Sequence, residues 1–238
     1  MKKAIVVGAS SGIGHQLAVL LAANNYKVGI TGRRDQLLLN LQSTNPAHFI
    51  VSVFDATDVA GIPQYLNQLT KELGGLDLLV LSSGTGKINE VLDGRIEQDT
   101  NALNVAGFTE IADWAFKFFQ EQAFGHFVGI TSIAGLRGSG QAPAYFASKA
   151  YQISYLEGLR QKAKHTKLPI YITDIRPGFV DTAMAGGENL FWVAPVEKAA
   201  AQIYKAIEDK KNVAYVTRRW RLIGFLFWIL PGFIHKRL

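Results

Sequence analysis

Tyr145 and Lys149 stand four residues apart in Tyr145-Phe146-Ala147-Ser148-Lys149, and on a helix that spacing puts both side chains on one face. A phenol ionises only near about pH 10, too high for proton transfer at neutrality, and a neighbouring ammonium draws that value down by favouring the phenolate. The pair is a tunable acid and base. On an arbitrary exposed helix the same spacing means only a surface pair, so its setting decides. Ser132 closes an apolar run in Ile130-Thr131-Ser132-Ile133-Ala134-Gly135. In an open parallel sheet the carboxyl ends of strands face the ligand crevice, where a hydroxyl can hold an oxygen on which charge develops.

The elements that must position these groups follow from hydrophobic periodicity. Short apolar runs at 4–7, 28–31, 49–53, 78–81, 127–131, 170–175 and 213–216 predict strands. Helical patterns at 12–24, 35–41, 62–73, 100–122, 144–164 and 196–209 fill the gaps. Buried apolar strands alternating with helices imply right-handed βαβ units, hence an α/β, doubly wound, Rossmann-like and mostly parallel seven-stranded sheet with helices on both faces. No linker or repeat interrupts the alternation, so residues 1–217 are expected to form one domain, with 218–238 as a tail rather than an independent domain.

The first strand runs into Gly8-Ala9-Ser10-Ser11-Gly12-Ile13-Gly14 and then a helix. Gly8 permits a tight turn, Gly12 lets backbone and phosphate approach, and Gly14 lets helix pack near strand, while Ser10, Ser11 and Ile13 line the turn. A pyrophosphate can sit on such a helix start. After strand two, where a carboxylate would bind the ribose hydroxyls of NAD, the chain has Thr31-Gly32-Arg33-Arg34. Two guanidiniums suit a 2′-phosphate, so NADPH is expected to be preferred over NADH. A solvated turn with Asp35 capping the next helix, or Asp35 as the ribose carboxylate, are the other readings of this stretch. In Val53-Phe54-Asp55-Ala56, Asp55 is placed either to reach an adenine amino group or to cap its loop.

Taken together, the glycine turn, Asn104 in Asn104-Val105-Ala106-Gly107, Ser132, Tyr145 with Lys149, and Arg176-Pro177-Gly178 occur in the order of the short-chain dehydrogenases/reductases, which the chain resembles from Lys3 to about Val216. The resemblance implies an enzyme interconverting a carbonyl and a secondary alcohol. It makes Tyr145 the general acid and Ser132 the holder of the substrate oxygen. Lys149 holds the nicotinamide ribose and tunes Tyr145, and Asn104 anchors a water in the proton relay. Pro177, Gly178, Val180 and Thr182 are expected along the nicotinamide, with Ala56 and Gly84 also beside the cofactor. Val7 and Leu81-Ser82-Ser83-Gly84 depart from the family's Thr and Asn-Asn-Ala-Gly. Those segments neighbour each other in the family, so the departures read as one compensated change.

Composition excludes other chemistries. The 238 residues contain no cysteine, which removes disulfides, thiolate metal sites and a thiol nucleophile, and the five histidines show no ligand spacing, so no metal is expected. The 48% of hydrophobic residues supports a large core and apolar residues near Thr182 (Met184, Leu190, Phe191, Trp192) suit an apolar carbonyl or alcohol substrate or body packing. The net charge of +6 is confined to the tail: all 19 acidic residues precede position 210, whereas Lys210, Lys211, Arg218, Arg219, Arg221, Lys236 and Arg237 follow them. No presequence is visible, and a cytoplasmic protein is expected. A nucleic-acid groove is not expected, because the tail's cations flank an apolar run at 222–234 rather than alternate with aromatics. That run reaches only about 20 Å as a helix against a hydrocarbon core of about 30 Å. It can lie in a membrane surface, contact another subunit, or pack on its own body. Trp114, Phe116, Phe118 and Phe119, with the resemblance, support a homodimer or homotetramer through the helices at 100–122 and 144–164. The rival to an enzyme is an NADP(H)-sensing binding protein without turnover, which has no need of the whole Asn104, Ser132, Tyr145 and Lys149 set.

Overall fold

In a computed structural model, which describes residues 1–184 and 191–229, seven strands form one parallel sheet in the order β3-β2-β1-β4-β5-β6-β7. The strands are β1 (Lys2–Val7), β2 (Tyr26–Gly32), β3 (Phe49–Val53), β4 (Leu78–Leu81), β5 (Gly125–Ile130), β6 (Ile170–Pro177) and β7 (Val213–Val216). Helices α1 (Gly12–Ala23), α2 (Asp35–Thr44) and α7 (Val196–Glu208) cover one face. Helices α3 (Ile62–Leu73), α5 (Phe108–Glu121) and α6 (Pro143–Thr166) cover the other.

Both faces are buried, and this explains why the strands read as continuous apolar runs rather than as alternating ones. Along β1, Ala4 and Val6 enter the core beneath α1 and α7, while Ile5 and Val7 enter the core beneath α3 and α5. β1 pairs on one side with β2 and on the other with β4, so the chain reverses its direction of winding there and opens a crevice at the carboxyl ends of the strands.

The helix expected at 100–122 departs from an α-helix in its first part. α4 (Gly94–Asn101) starts earlier, where the Asp93 carboxylate accepts from the Arg95 N–H at 2.9 Å, and a π-helical turn spans Ala102–Gly107 before α5 begins. α4 is polar and buries only Thr100, so it carries no apolar period to read. Tertiary bonds hold the π turn: Gln152 Nε2 donates to the Asn104 carbonyl at 2.8 Å, a contact across 48 positions. Such turns release backbone groups from the helical ladder and recur at functional sites.

The aromatic residues of α5 require a correction. Trp114, Phe116 and Phe119 are buried in the chain's own core, Phe118 packs against that core and stacks on Trp114 at 5.2 Å, and Trp114 Nε1 donates to Asn67. They fill space between α5, α3 and the sheet, and the support they lent to a subunit interface falls away.

Beyond β7 the chain forms α8 (Trp220–Ile229), so part of the apolar run at 222–234 is helical and packs on the body through one side. Residues 230–238, with Lys236 and Arg237, lie outside the described residues, as does Leu190. Among the described residues no helix is long and apolar enough to cross a membrane.

Candidate active site

The crevice is built from four strand ends. β1 ends in the glycine turn, where Gly8 (φ +90°) crosses Ser83: a Cβ on Gly8 would lie 2.6 Å from Ser83 N, and one on Gly14 only 2.2 Å from the Gly8 carbonyl oxygen. Only glycine fits either position. Val7 and Leu81 are register partners, and Ser82 N–H donates to the Val7 carbonyl at 2.8 Å, so the two segments that depart from the family pattern do meet, through backbone. At the start of α1 the Ser11 hydroxyl makes no capping bond, which leaves the first-turn N–H groups near Gly12, Ile13 and Gly14 for an anion. The methyl of Thr182 lies over Gly12, 3.2 Å from where a Cβ would stand.

Arg34 bonds the same turn. Its Nε and Nη2 donate to Ser10 Oγ at 3.1 and 2.7 Å, and Nη2 donates to Ser11 Oγ at 2.6 Å. Arg33 lies apart from it, 3.5 Å from the Asp55 carboxylate. Asp55 also accepts from the Thr57 N–H and hydroxyl, both at 2.9 Å, and its carboxyl sits below the ordinary value because these bonds and Arg33 outweigh its partial burial. The donor set of uncapped amides, two hydroxyls and a guanidinium fits a pyrophosphate with a further phosphate beside it.

At the other strand ends, Ser132 follows β5, and its Oγ accepts from the Ala134 N–H at 3.1 Å in the 3₁₀ turn Ile133–Leu136. Tyr145 and Lys149 project from α6 toward it. Burial pushes the Tyr145 phenol above its ordinary value, and its hydrogen bond with Ser132 pulls the other way. The downward pull expected from Lys149 is not the leading influence: Lys149 Nζ lies 5.9 Å from the phenol ring centroid, and burial pushes its own pKa down to about 8. Lys149 Nζ donates to the Ile130 carbonyl at 3.1 Å and to Gln152 Oε1 at 3.0 Å. Asn104 is fully buried, with Oδ1 accepting from Thr85 N–H at 2.9 Å and Nδ2 donating to the Thr85 carbonyl at 2.7 Å and to Ser148 Oγ at 3.0 Å. Gly84 rests on this group, its Cβ position 3.4 Å from Asn104 Oδ1 and 3.5 Å from Lys149 Nζ.

β6 ends at Pro177, and Gly178 N–H donates to the Val216 carbonyl at 2.7 Å. The Val180 side chain is buried in the core, bridged to Ala194, and the Ala56 carbonyl lies under Gly107 of the π turn. The crevice therefore gathers Asn104, Ser132, Tyr145 and Lys149 at one end and the glycine turn with Arg34 at the other. Asp55 and Arg33 are at its rim.

A profile for the short chain dehydrogenases matches residues 2–191. The chain belongs to that family. An uncharacterised oxidoreductase of Mycobacterium tuberculosis is 28% identical over 247 residues, covering 99% of this chain and 96% of its own. A short-chain dehydrogenase/reductase of Burkholderia phymatum, solved with NAD, superposes with a TM-score of 0.86 at 18% identity, covering 94% of this chain and 92% of its own. ElxO, solved with NADP, superposes at 0.80 and 23% identity, covering 90% and 96%. The chain is thus a short-chain dehydrogenase/reductase enzyme.

Two contributors to this dehydrogenase's site, Gln152 and Asp174, were not singled out from the sequence, and a third, Gly86, was read only as open backbone beside the cofactor. Gln152 joins Lys149 to the Asn104 backbone, and its place seven residues after Tyr145 on one helix face was a readable signal. Gly86 gives Tyr145 room, since a Cβ there would come within 2.5 Å of the ring. Asp174, a fully buried carboxylate inside β6, accepts from Thr131 Oγ1 at 2.6 Å and from Arg176 Nε at 2.7 Å. Its negative charge opposes the burial of the Lys149 ammonium. The ammonium is expected to deprotonate near pH 8 in the free enzyme, so kcat/KM for carbonyl reduction should fall above that pH. Asp174→Asn removes the anion, lowers the Lys149 pKa further and should move the alkaline limb to lower pH. A pH profile that is the same in both proteins removes Asp174 from this role.

Proposed function

We propose that this chain is an NADP(H)-dependent oxidoreductase interconverting a carbonyl and a secondary alcohol on an apolar substrate, with Tyr145 as general acid and base. The observation that carries the reading is the meeting of Asn104, Ser132, Tyr145 and Lys149 at the carboxyl end of the sheet, from three separate parts of the chain: the π turn, the end of β5 and α6. The nicotinamide cofactor, when bound, supplies or accepts the hydride. Ser132 holds the substrate oxygen by its hydroxyl, and the Tyr145 phenol delivers the proton to that oxygen in reduction and removes it in oxidation. Lys149 holds the cofactor ribose, while the hydrogen bond with Ser132 is what favours the phenolate against burial. Asn104, pinned by Thr85 and Ser148, anchors the water through which the proton is replaced. The pairing of Arg34 with Ser10 and Ser11 supports NADPH over NADH. The exposed Met184, Phe191 and Trp192 beyond Thr182 support an apolar substrate.

A screen of ketones and secondary alcohols, followed at the NADPH absorbance band, tests the reading. Turnover of apolar ketones in preference to charged ones is expected. Tight cofactor binding with no turnover of any carbonyl or alcohol would leave only a nucleotide-sensing protein.

A further inference from the structure

We infer that α8 and the neighbouring residues 191–193 form a docking face for an anionic lipid surface, and that this face brings the catalytic crevice to membrane-resident carbonyl or alcohol substrates. The substrate part of the inference rests on the function proposed above, while the docking part stands on the following geometry alone.

α8 is fastened at two points beside the crevice, at the end of β6 and at the turn that follows Ser132. Its first residue, Trp220, is 1% exposed and lies on Gly178, where a Cβ would come within 2.0 Å of the indole. Further along, Gly224 packs against Leu136 and Tyr215, and Arg137 Nε donates to the Phe227 carbonyl at 2.6 Å, which joins the helix to the turn that follows Ser132. Having spent this side on the body, α8 leaves Leu222 69%, Phe225 60%, Leu226 47% and Ile229 50% exposed. Their spacing is one stripe of an α-helix.

The apolar exposure does not stop at the helix. The Trp220 indole meets the exposed rings of Phe191 at 5.2 Å and Trp192 at 5.7 Å, and Phe179, next to Gly178, at 5.4 Å. Arg219 lies 5.0 Å over the Trp192 ring and donates to the Trp192 carbonyl. Arg218, Arg219 and Arg221 are all exposed, and among the described residues no carboxylate pairs with any of them.

The charge argues for the occupant. An apolar stripe bordered by tryptophan and by arginines with which no described carboxylate pairs matches a headgroup boundary, where aromatic rings sit and anionic lipid attracts cations. A second copy of this chain would bring the same exposed arginines to a shared, self-complementary patch, which sets like charges against each other. Each arginine near an anionic surface strengthens partition by about fivefold.

Flotation of the full chain with vesicles of phosphatidylcholine, alone and mixed with phosphatidylglycerol, tests the docking. Binding to the mixed vesicles that weakens with salt is expected. Phe225→Ser with Leu226→Ser should cut it at least about tenfold through lost apolar burial, and Arg218→Gln with Arg221→Gln about 25-fold. Both double variants should turn over a soluble ketone as the parent does, while turnover of a long-chain carbonyl compound dissolved in the mixed vesicles falls with binding. Absence of flotation, or parental flotation by the Phe225/Leu226 variant, overturns the docking face. So does sedimentation showing that this variant dissolves an oligomer, which would assign the face to a second subunit. If vesicle binding limits turnover in neither variant, the link to membrane-resident substrate is wrong. Flotation needs no catalysis, so a chain that floats but reduces nothing overturns the catalytic reading and upholds the docking.

Discussion

Tyr145→Phe is expected to lower kcat by about 10²–10⁴-fold, the range for loss of a positioned general acid. The substitution removes one hydroxyl and keeps the ring that lies against Gly86, so the packing of α6 on the 85–93 segment survives. What is lost is the proton donor and its hydrogen bond with Ser132. That bond is worth about 1 kcal/mol net, a small fraction of the stability of a domain. Cofactor affinity should stay near that of the parent, because the glycine turn and Arg34, proposed to hold the phosphates, lie at the opposite end of the crevice. Single-turnover rates with saturating NADPH, alongside a fluorescence titration of the cofactor, separate the two effects. Parental turnover by the variant would show that the acid is another group.

Arg34→Ala is expected to weaken NADPH binding by about 10–100-fold, the equivalent of one charge-assisted hydrogen bond of about 1.5–3 kcal/mol. NADH affinity should change far less, since NADH lacks the 2′-phosphate that Arg34, bonded to Ser10 and Ser11, is proposed to meet. Arg33→Ala should cost less than Arg34→Ala. Arg33 is more than half exposed and shares its charge with Asp55. Gly32→Asp gives the converse test: a Cβ at position 32 meets only Ser10 Oγ at 3.4 Å and more distant atoms, so the turn accommodates it. Its carboxylate would repel a 2′-phosphate and neutralise Arg34, shifting preference toward NADH. Equal affinity of the parent for NADPH and NADH, or an unaltered preference in Arg34→Ala, removes the arginine argument.

Much of this enzyme is written in local order. The seven strands could be recognised because each is apolar on both faces, and the intervening helices because α3, α5 and α7 keep their buried residues on one stripe. The glycine turn was legible because strand, turn and helix are contiguous, and Tyr145 with Lys149 because a helix brings positions four apart together by its own geometry. Tertiary structure decided whatever depends on contacts between distant positions. The π turn at Asn104 exists where Gln152 reaches its carbonyl and Thr85 its side chain, and no run of residues around 104 announces it. Asp174 looks like a misplaced acid within an apolar strand until Thr131 and Arg176 are seen to satisfy it beneath Lys149. The aromatics of α5 had enough apolar surface for a subunit contact, but the space between α3 and the sheet absorbed them. The placement of α8 was hidden for the same reason. An apolar period shows that one side of a helix must be covered, whereas the surface that covers it here, Gly178 under Trp220 and Leu136 under Gly224, lies 42 and 88 positions away along the chain and is assembled only by folding.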